Sequence, residues 1–157
     1  MAPACLARLR TVDRNMQVTN WKYDQRIVSD PNNCAIVIRE LVQQLEQSGW
    51  ENKDVFGIHM AMEEAIMNAI EHGNQSDPAK RVHIVIELAD DRFEARITDQ
   101  GDGFDLDDVP DPTADENLEK TSGRGVMLIQ HFVDQVCYNE VGNSVRLVKQ
   151  RSAATDE

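Results

Sequence analysis

Basic charge, cysteine and long apolar runs are all in short supply in this chain, and each shortage removes a class of function. Sixteen Lys and Arg stand against twenty-eight Asp and Glu, a formal net charge of -12. A field of that sign repels phosphate backbones and anionic membrane surfaces at long range. Direct nucleic-acid and membrane partners are therefore not expected, whereas a basic protein partner or a bound cation is compatible with the balance. The three cysteines, Cys5, Cys34 and Cys137, are odd in number, widely spaced and without a Cys-x-x-Cys pair. They point away from a disulfide framework or a zinc site and towards a reducing, cytoplasmic setting. No stretch approaches the roughly 18 apolar residues of a membrane span, and the opening "MAPACLARLR" lacks the apolar centre of a secretion signal. Internal repeats and low-complexity linkers are absent as well.

What is present is enough for one domain: 157 residues, 41% of them hydrophobic, can bury a substantial core. Residues 1–18 show no clean period and read as an N-terminal arm, residues 19–150 as the domain, and residues 151–157 as a C-terminal tail expected to fray. "NWKYDQRIV" sets Trp21, Tyr23 and Ile27 on one side at period two, a strand suited to a sheet edge. "SDPNNCAIVIRELVQQLEQSG" offers a cap at Asp30, proline in the first helical position and apolar residues at 34, 37, 38, 41, 42 and 45 before Gly49, which predicts an amphipathic helix. A second helix is predicted from about Lys53 to His72, stopped by Gly73 in the left-handed position. "RVHIVIELADDRFEARIT" alternates as a hairpin joined at Ala89 to Arg92, and "VCYNEVGNSVRLVKQ" as a final hairpin through Val141 to Asn143. "VMLIQHFVDQV" reads as a short apolar helix. The sum is an α+β, two-layer sandwich: a mixed, mostly antiparallel sheet of about five strands with three helices on one face.

Two features carry chemistry. In "MEEAIMNAIEHG", residues 62–73, a turn of about 100° per residue puts Asn68 and His72 about 40° and 80° to one side of Glu64 and Glu71 about 20° to the other. These polar residues form one stripe, with Glu63 off it. The stripe faces either bulk water or a site. Asparagine is a poor helix-interior residue, and solvent faces more commonly carry Lys, Arg, Gln and Glu. The second feature is a pair of glycine segments: "DQGDGF", residues 99–104, directly after a strand, and "SGRG", residues 122–125, directly before a helix. Taken singly, the first is compatible with a turn and the second with a helix start. Glycines before a helix also free backbone N–H groups to face an anion. The acidic, Gly- and Pro-containing connection between the segments is longer than a compact domain ordinarily uses without a task, and reads as a lid. A calcium loop is excluded, because counting from Asp99 puts Phe104 where that loop requires glycine and Pro110 where it requires glutamate.

Glu64-x-x-x-Asn68 on a helix, Asp99-x-Gly101-x-Gly103 after a strand, a long connection and Gly123-x-Gly125 before a helix together resemble the ATPase domain shared by gyrase-type topoisomerases and histidine kinases (the GHKL superfamily). Within it the chain is most similar to the stand-alone anti-sigma-factor serine/threonine kinases, over roughly residues 20–150. The resemblance implies the Bergerat ATP-binding fold with ATP and Mg²⁺ as cofactors. Asn68 would ligate the metal, and Glu64 would be the catalytic base for a serine or threonine hydroxyl. Asp99 would accept from the adenine amino group while Gly101 and Gly103 let the chain pass close to the base. Ser122, Gly123, Arg124 and Gly125 would cradle the phosphates. The implied partners are a sigma factor, which the protein sequesters, and an anti-anti-sigma (STAS-type) antagonist, which it phosphorylates; a homodimer is plausible on the same ground. Two other uses of such a domain remain open: a non-enzymatic module in which nucleotide gates protein binding, and a detached histidine-kinase-like ATPase. The chain also departs from the family pattern. Thr121, with Lys120 before it, stands where some relatives carry an arginine, and "GNSV" replaces a Gly-Thr pair, leaving Asn143 or Ser144 as the substitute.

Overall fold

Alternating apolar residues build the sheet first. The computed structural model describes residues 4–5, 19–102 and 128–153. Its strands are β1 (Ala4–Cys5), β2 (Thr19–Val28), β3 (Arg81–Ala89), β4 (Arg92–Thr98), β5 (Gln135–Tyr138) and β6 (Ser144–Gln150). They lie in the order β1-β5-β6-β4-β3-β2, and every described pairing is antiparallel. The sheet is thus wholly antiparallel among the described residues where a mixed one was expected, with five strands of four residues or more plus the two-residue β1.

Register puts Ile84 opposite Ile97 and Ile86 opposite Ala95, and Ala95 opposite Leu147, so one face is continuous and apolar. On it pack helix α1 (Pro31–Gln47), helix α2 (Asn52–Asn68) and a short helix α3, described over residues 128–132. Helix α1 begins as its sequence predicts: Asp30 accepts from the Asn32 N–H at 2.9 Å, Pro31 opens the first turn, and Cys34, Val37, Ile38, Leu41 and Leu45 are buried. The other face of the sheet is polar. There Glu94 bridges Arg92 and Arg146, and His83 meets Asp24 at 2.7 Å. Strand β2 forms one edge, with Trp21, Tyr23 and Ile27 packed against the core and Lys22, Asp24 and Arg26 exposed.

Three details differ from expectation. Ala4–Cys5 pairs with β5, so part of the N-terminal arm joins the sheet, and the register sets Cys5 opposite Cys137. Cys137 is disulfide-bonded and Cys34 is a free, buried thiol, where the odd, scattered cysteines suggested no disulfide framework. The first residues of the tail are clamped rather than frayed. The Arg151 guanidinium lies over Trp50 and donates to Gly49 O at 2.6 Å. Ser152 donates to the buried Asp54 carboxylate from its N–H at 2.8 Å and its hydroxyl at 2.7 Å.

Candidate functional site

The site is built where α2 runs out against the end of β4. Helix α2 does not stop at a left-handed Gly73. It passes into a π-helical turn, Ala69–Gly73, closed by the Asn74 N–H donating to Ala69 O at 2.8 Å. The left-handed positions fall instead on Gln75 (φ 52°) and Ser76 (φ 55°), a conformation that non-glycine residues adopt at a cost and that clusters at functional sites. Turns of the i→i+5 type inside α-helices likewise concentrate at such sites. The wider turn breaks the 100° periodicity on which the polar stripe was drawn. Glu64 and Asn68 are half-buried, whereas Glu71 and His72 are exposed.

Against this turn sits Asp99, the first residue beyond β4. Its N–H donates to Asn143 O at 2.9 Å, and its Oδ1 accepts from the Gly101 N–H at 2.8 Å. Glycine on both sides makes room for the contact: at Gly101 the obstacle is backbone, at Gly73 it is the Asp99 side chain. A Cβ on Gly73 would overlap the Asp99 carboxyl group, and one on Gly101 would overlap the Gly73 carbonyl oxygen. Gly73 therefore belongs to the site as the neighbour that makes room for Asp99, a role concealed in the sequence because glycine after a helix ordinarily signals a cap. The β5–β6 turn completes this end. Asn139 Oδ1 accepts from the N–H groups of Gly142, Asn143 and Ser144, and Thr98 and Ser144 share a hydroxyl hydrogen bond at 2.7 Å. Of the residues named as substitutes for the missing Gly-Thr pair, Asn143 contacts Asp99 directly and Ser144 contacts its neighbour Thr98.

Burial raises the pKa of Asp99 above the ordinary carboxylate value, opposed by the Gly101 N–H and the charge of Lys80. Glu64 is also raised, by burial first and then by the charges of Glu63 and Glu71, with His72 acting the other way. Among the described residues no side chain hydrogen-bonds to Glu64 or Asn68. At about 1.5 Å per residue, Asn68 lies roughly 7 Å and Glu64 roughly 13 Å back along the helix from Gly73. The Asp99 carboxylate at the end of β4 thus faces the end of the helix that carries the Asn68 carboxamide and the Glu64 carboxylate. No group of three or more His, Cys, Asp or Glu among the described residues is arranged to hold a metal ion. The donor chemistry fits a hard cation that brings phosphate and water ligands of its own, since such ions commonly take only one or two oxygen ligands from protein. Gly103, Ser122, Gly123, Arg124, Gly125 and the expected lid lie outside the described residues.

A model of the histidine kinase-like ATPase domain matches residues 27–149, most of the chain. The chain belongs to that family. ATP use follows from membership in this ATPase family. The chain is similar to the anti-sigma F factor of Oceanobacillus iheyensis, at 38% identity over 125 residues covering 76% of this chain and 83% of that one. It is also similar to the serine-protein kinase RsbW of Bacillus subtilis, at 26% identity over 135 residues covering 80% and 83% of the two chains. The crystal structure of the RsbU and RsbW domains of a Mycobacterium tuberculosis protein matches 88% of this chain with a TM-score of 0.61 at 18% identity, and this chain spans 35% of that one. That likeness speaks for the histidine kinase-like ATPase fold alone.

Proposed function

We propose that this histidine kinase-like ATPase is an anti-sigma-factor-type serine/threonine kinase acting in the cytoplasm, which phosphorylates an anti-anti-sigma antagonist and otherwise sequesters a sigma factor. The observation that carries the reading is the junction of Gly73, Asp99 and Gly101 at the end of the helix that bears half-buried Asn68 and Glu64. The printed names of the relatives support the direction. Asp99 Oδ2 accepts from the adenine amino group. The Asn68 side-chain oxygen ligates Mg²⁺, which supplies charge neutralisation at the phosphates. The Glu64 carboxylate takes the proton of the attacking serine or threonine hydroxyl, a task helped by its raised pKa. Ser122, Gly123, Arg124, Gly125 and Gly103 hold the phosphates and the base edge. The work of these residues is positioning and electrostatic stabilisation, with no covalent enzyme intermediate.

The test is incubation with Mg-ATP and small STAS-type proteins from the same genome. Phosphoserine or phosphothreonine on one of them is expected, and Glu64→Ala should abolish it while ATP affinity stays within about threefold, because Glu64 acts on the transferred proton and not on binding. Phosphohistidine as the product, or no acceptor among all such candidates, overturns the kinase reading.

A further inference from the structure

Asn74 is fully buried, at 0% exposure, and every hydrogen-bonding group it has is used. Its Nδ2 donates to Ser29 Oγ and to Arg81 O, each at 2.9 Å. Its Oδ1 accepts from the Gln100 N–H at 2.7 Å. Its own N–H closes the π-helical turn on Ala69 O at 2.8 Å, and its carbonyl accepts from Asp77 N–H at 3.0 Å. One residue therefore ties four places together: its side chain joins the β2–α1 junction, the start of β3 and the segment after β4, and its main-chain N–H joins these to the end of α2.

The last of these links matters most. Gln100 is exposed, yet it is held twice: by Asn74 through its N–H and, through its side-chain oxygen, by the Arg81 N–H at 2.6 Å. Arg81 is the same residue whose carbonyl oxygen Asn74 holds. The three residues close a ring whose Gln100 corner is the residue between Asp99 and Gly101, held at the Asp99–Gln100 peptide. With Asp99 N–H fixed on Asn143 O and Gln100 N–H fixed on Asn74, both peptide groups flanking the Asp99 Cα are anchored. Asp99 Oδ1 is turned inward onto Gly101, while Oδ2 packs against Gly73 and makes no hydrogen bond among the described residues, so it is the carboxylate oxygen with accepting capacity left for a ligand.

We propose that Asn74 is the positioning residue for base recognition: its carboxamide, acting through Gln100, fixes the direction of Asp99 Oδ2 and so sets the preference for adenine over guanine. This rests on the reading of Asp99 as the acceptor for the adenine amino group. Guanine presents a carbonyl oxygen at the corresponding position, so a rigidly aimed carboxylate rejects it while a loosely held one discriminates poorly. The left-handed pair Gln75 and Ser76 directly follows Asn74, and the bonds of Asn74 hold the chain in that sharp turn.

The test compares the affinities of Mg-ATP and Mg-GTP by calorimetry for the full chain and five variants, each first checked for a cooperative thermal transition. Asn74→Ala is expected to lower the ATP-over-GTP ratio by about tenfold or more, chiefly through weaker ATP binding. Asn74→Asp keeps an oxygen acceptor for the Gln100 N–H and should retain most of the ratio despite a lower Tm. Ser29→Ala removes an Nδ2 acceptor without touching the Gln100 bond, and should lower Tm with the ratio unchanged. Should Asn74→Ala not fold, Gln100→Pro, at an exposed position, carries the test: it removes the N–H that Asn74 Oδ1 accepts and should reduce the ratio by severalfold. Asp99→Asn separates the two ideas: a wild-type chain without ATP preference, or an unchanged ratio in Asp99→Asn, sinks the reading of Asp99 itself. A lost ratio in Asp99→Asn beside an unchanged one in Asn74→Ala or Gln100→Pro overturns the role of Asn74. An equal loss in Ser29→Ala does so too, since it shows general loosening.

Discussion

In the proposed kinase, Glu64 would join stability to chemistry in a single side chain. A carboxyl group whose folded-state pKa lies above its unfolded value binds more protons when folded. Its contribution to stability is present at low pH and is lost as pH rises from the ordinary glutamate value through the raised one. At neutral pH the half-buried carboxylate is therefore a burden on the fold. Glu64→Gln should raise Tm at pH 7, with the gain disappearing below the ordinary glutamate range, while phosphoryl transfer is lost; thermal melts across pH read this directly. Glu71 is a second handle. Its negative charge helps to raise Glu64, so Glu71→Gln should move the acid limb of the pH–rate profile to lower pH. The glycine contact at Asp99 is stricter, because the obstacle is backbone. Gly101→Ala has only the Gly73 carbonyl to push against. It is expected to destabilise by about 1–3 kcal/mol, as overpacking does, and to weaken ATP binding by about tenfold or more through the displaced carboxylate; urea unfolding and nucleotide titration check the two parts.

Elements governed by local pattern were legible in the sequence, and those governed by contacts distant in sequence were not. The start of α1 follows from Asp30 and Pro31 alone, and the β3–β4 hairpin from strict alternation broken at Asp90 and Asp91. The end of α2 was misread for a physical reason. Gly73 is glycine because Asp99, twenty-six positions later, presses against it, and no helix-capping rule encodes that. Asn74 was hidden in the same way inside a stretch of turn composition, its partners Ser29, Arg81 and Gln100 lying on three other segments. Within the proposed site, the candidates Glu64, Asn68, Asp99 and Gly101 rest on motifs that resemble a family pattern, while the contacts of Gly73, Asn74 and Thr98 come only from the fold.

At the scale of the whole molecule, the sheet and its helices are held at their C-terminal end by Asp54. This carboxylate is 2% exposed in the first turn of α2, accepts two hydrogen bonds from Ser152 and faces Lys149 at 3.8 Å. Asp54→Ala leaves the Ser152 donors without their acceptor, and is expected to cost about 1–3 kcal/mol in urea unfolding. Truncation after Arg151 should produce a similar loss. Asp54 lies in the first turn of α2, about 15 Å along the helix from Glu64, so ATP affinity measured well below Tm should be unchanged.

Strand β2 ends the sheet with ten residues whose outward N–H and C=O groups have no strand beyond them among the described residues. Such a margin is a template on which other chains can polymerise, and alternating ionic side chains are a common deterrent. Lys22, Asp24 and Arg26 supply mixed signs along this one, so self-docking of identical margins is selective rather than indiscriminate. Replacing all three with valine should turn a well-behaved solution into visible fibres or precipitate, and light scattering at fixed concentration would register the change.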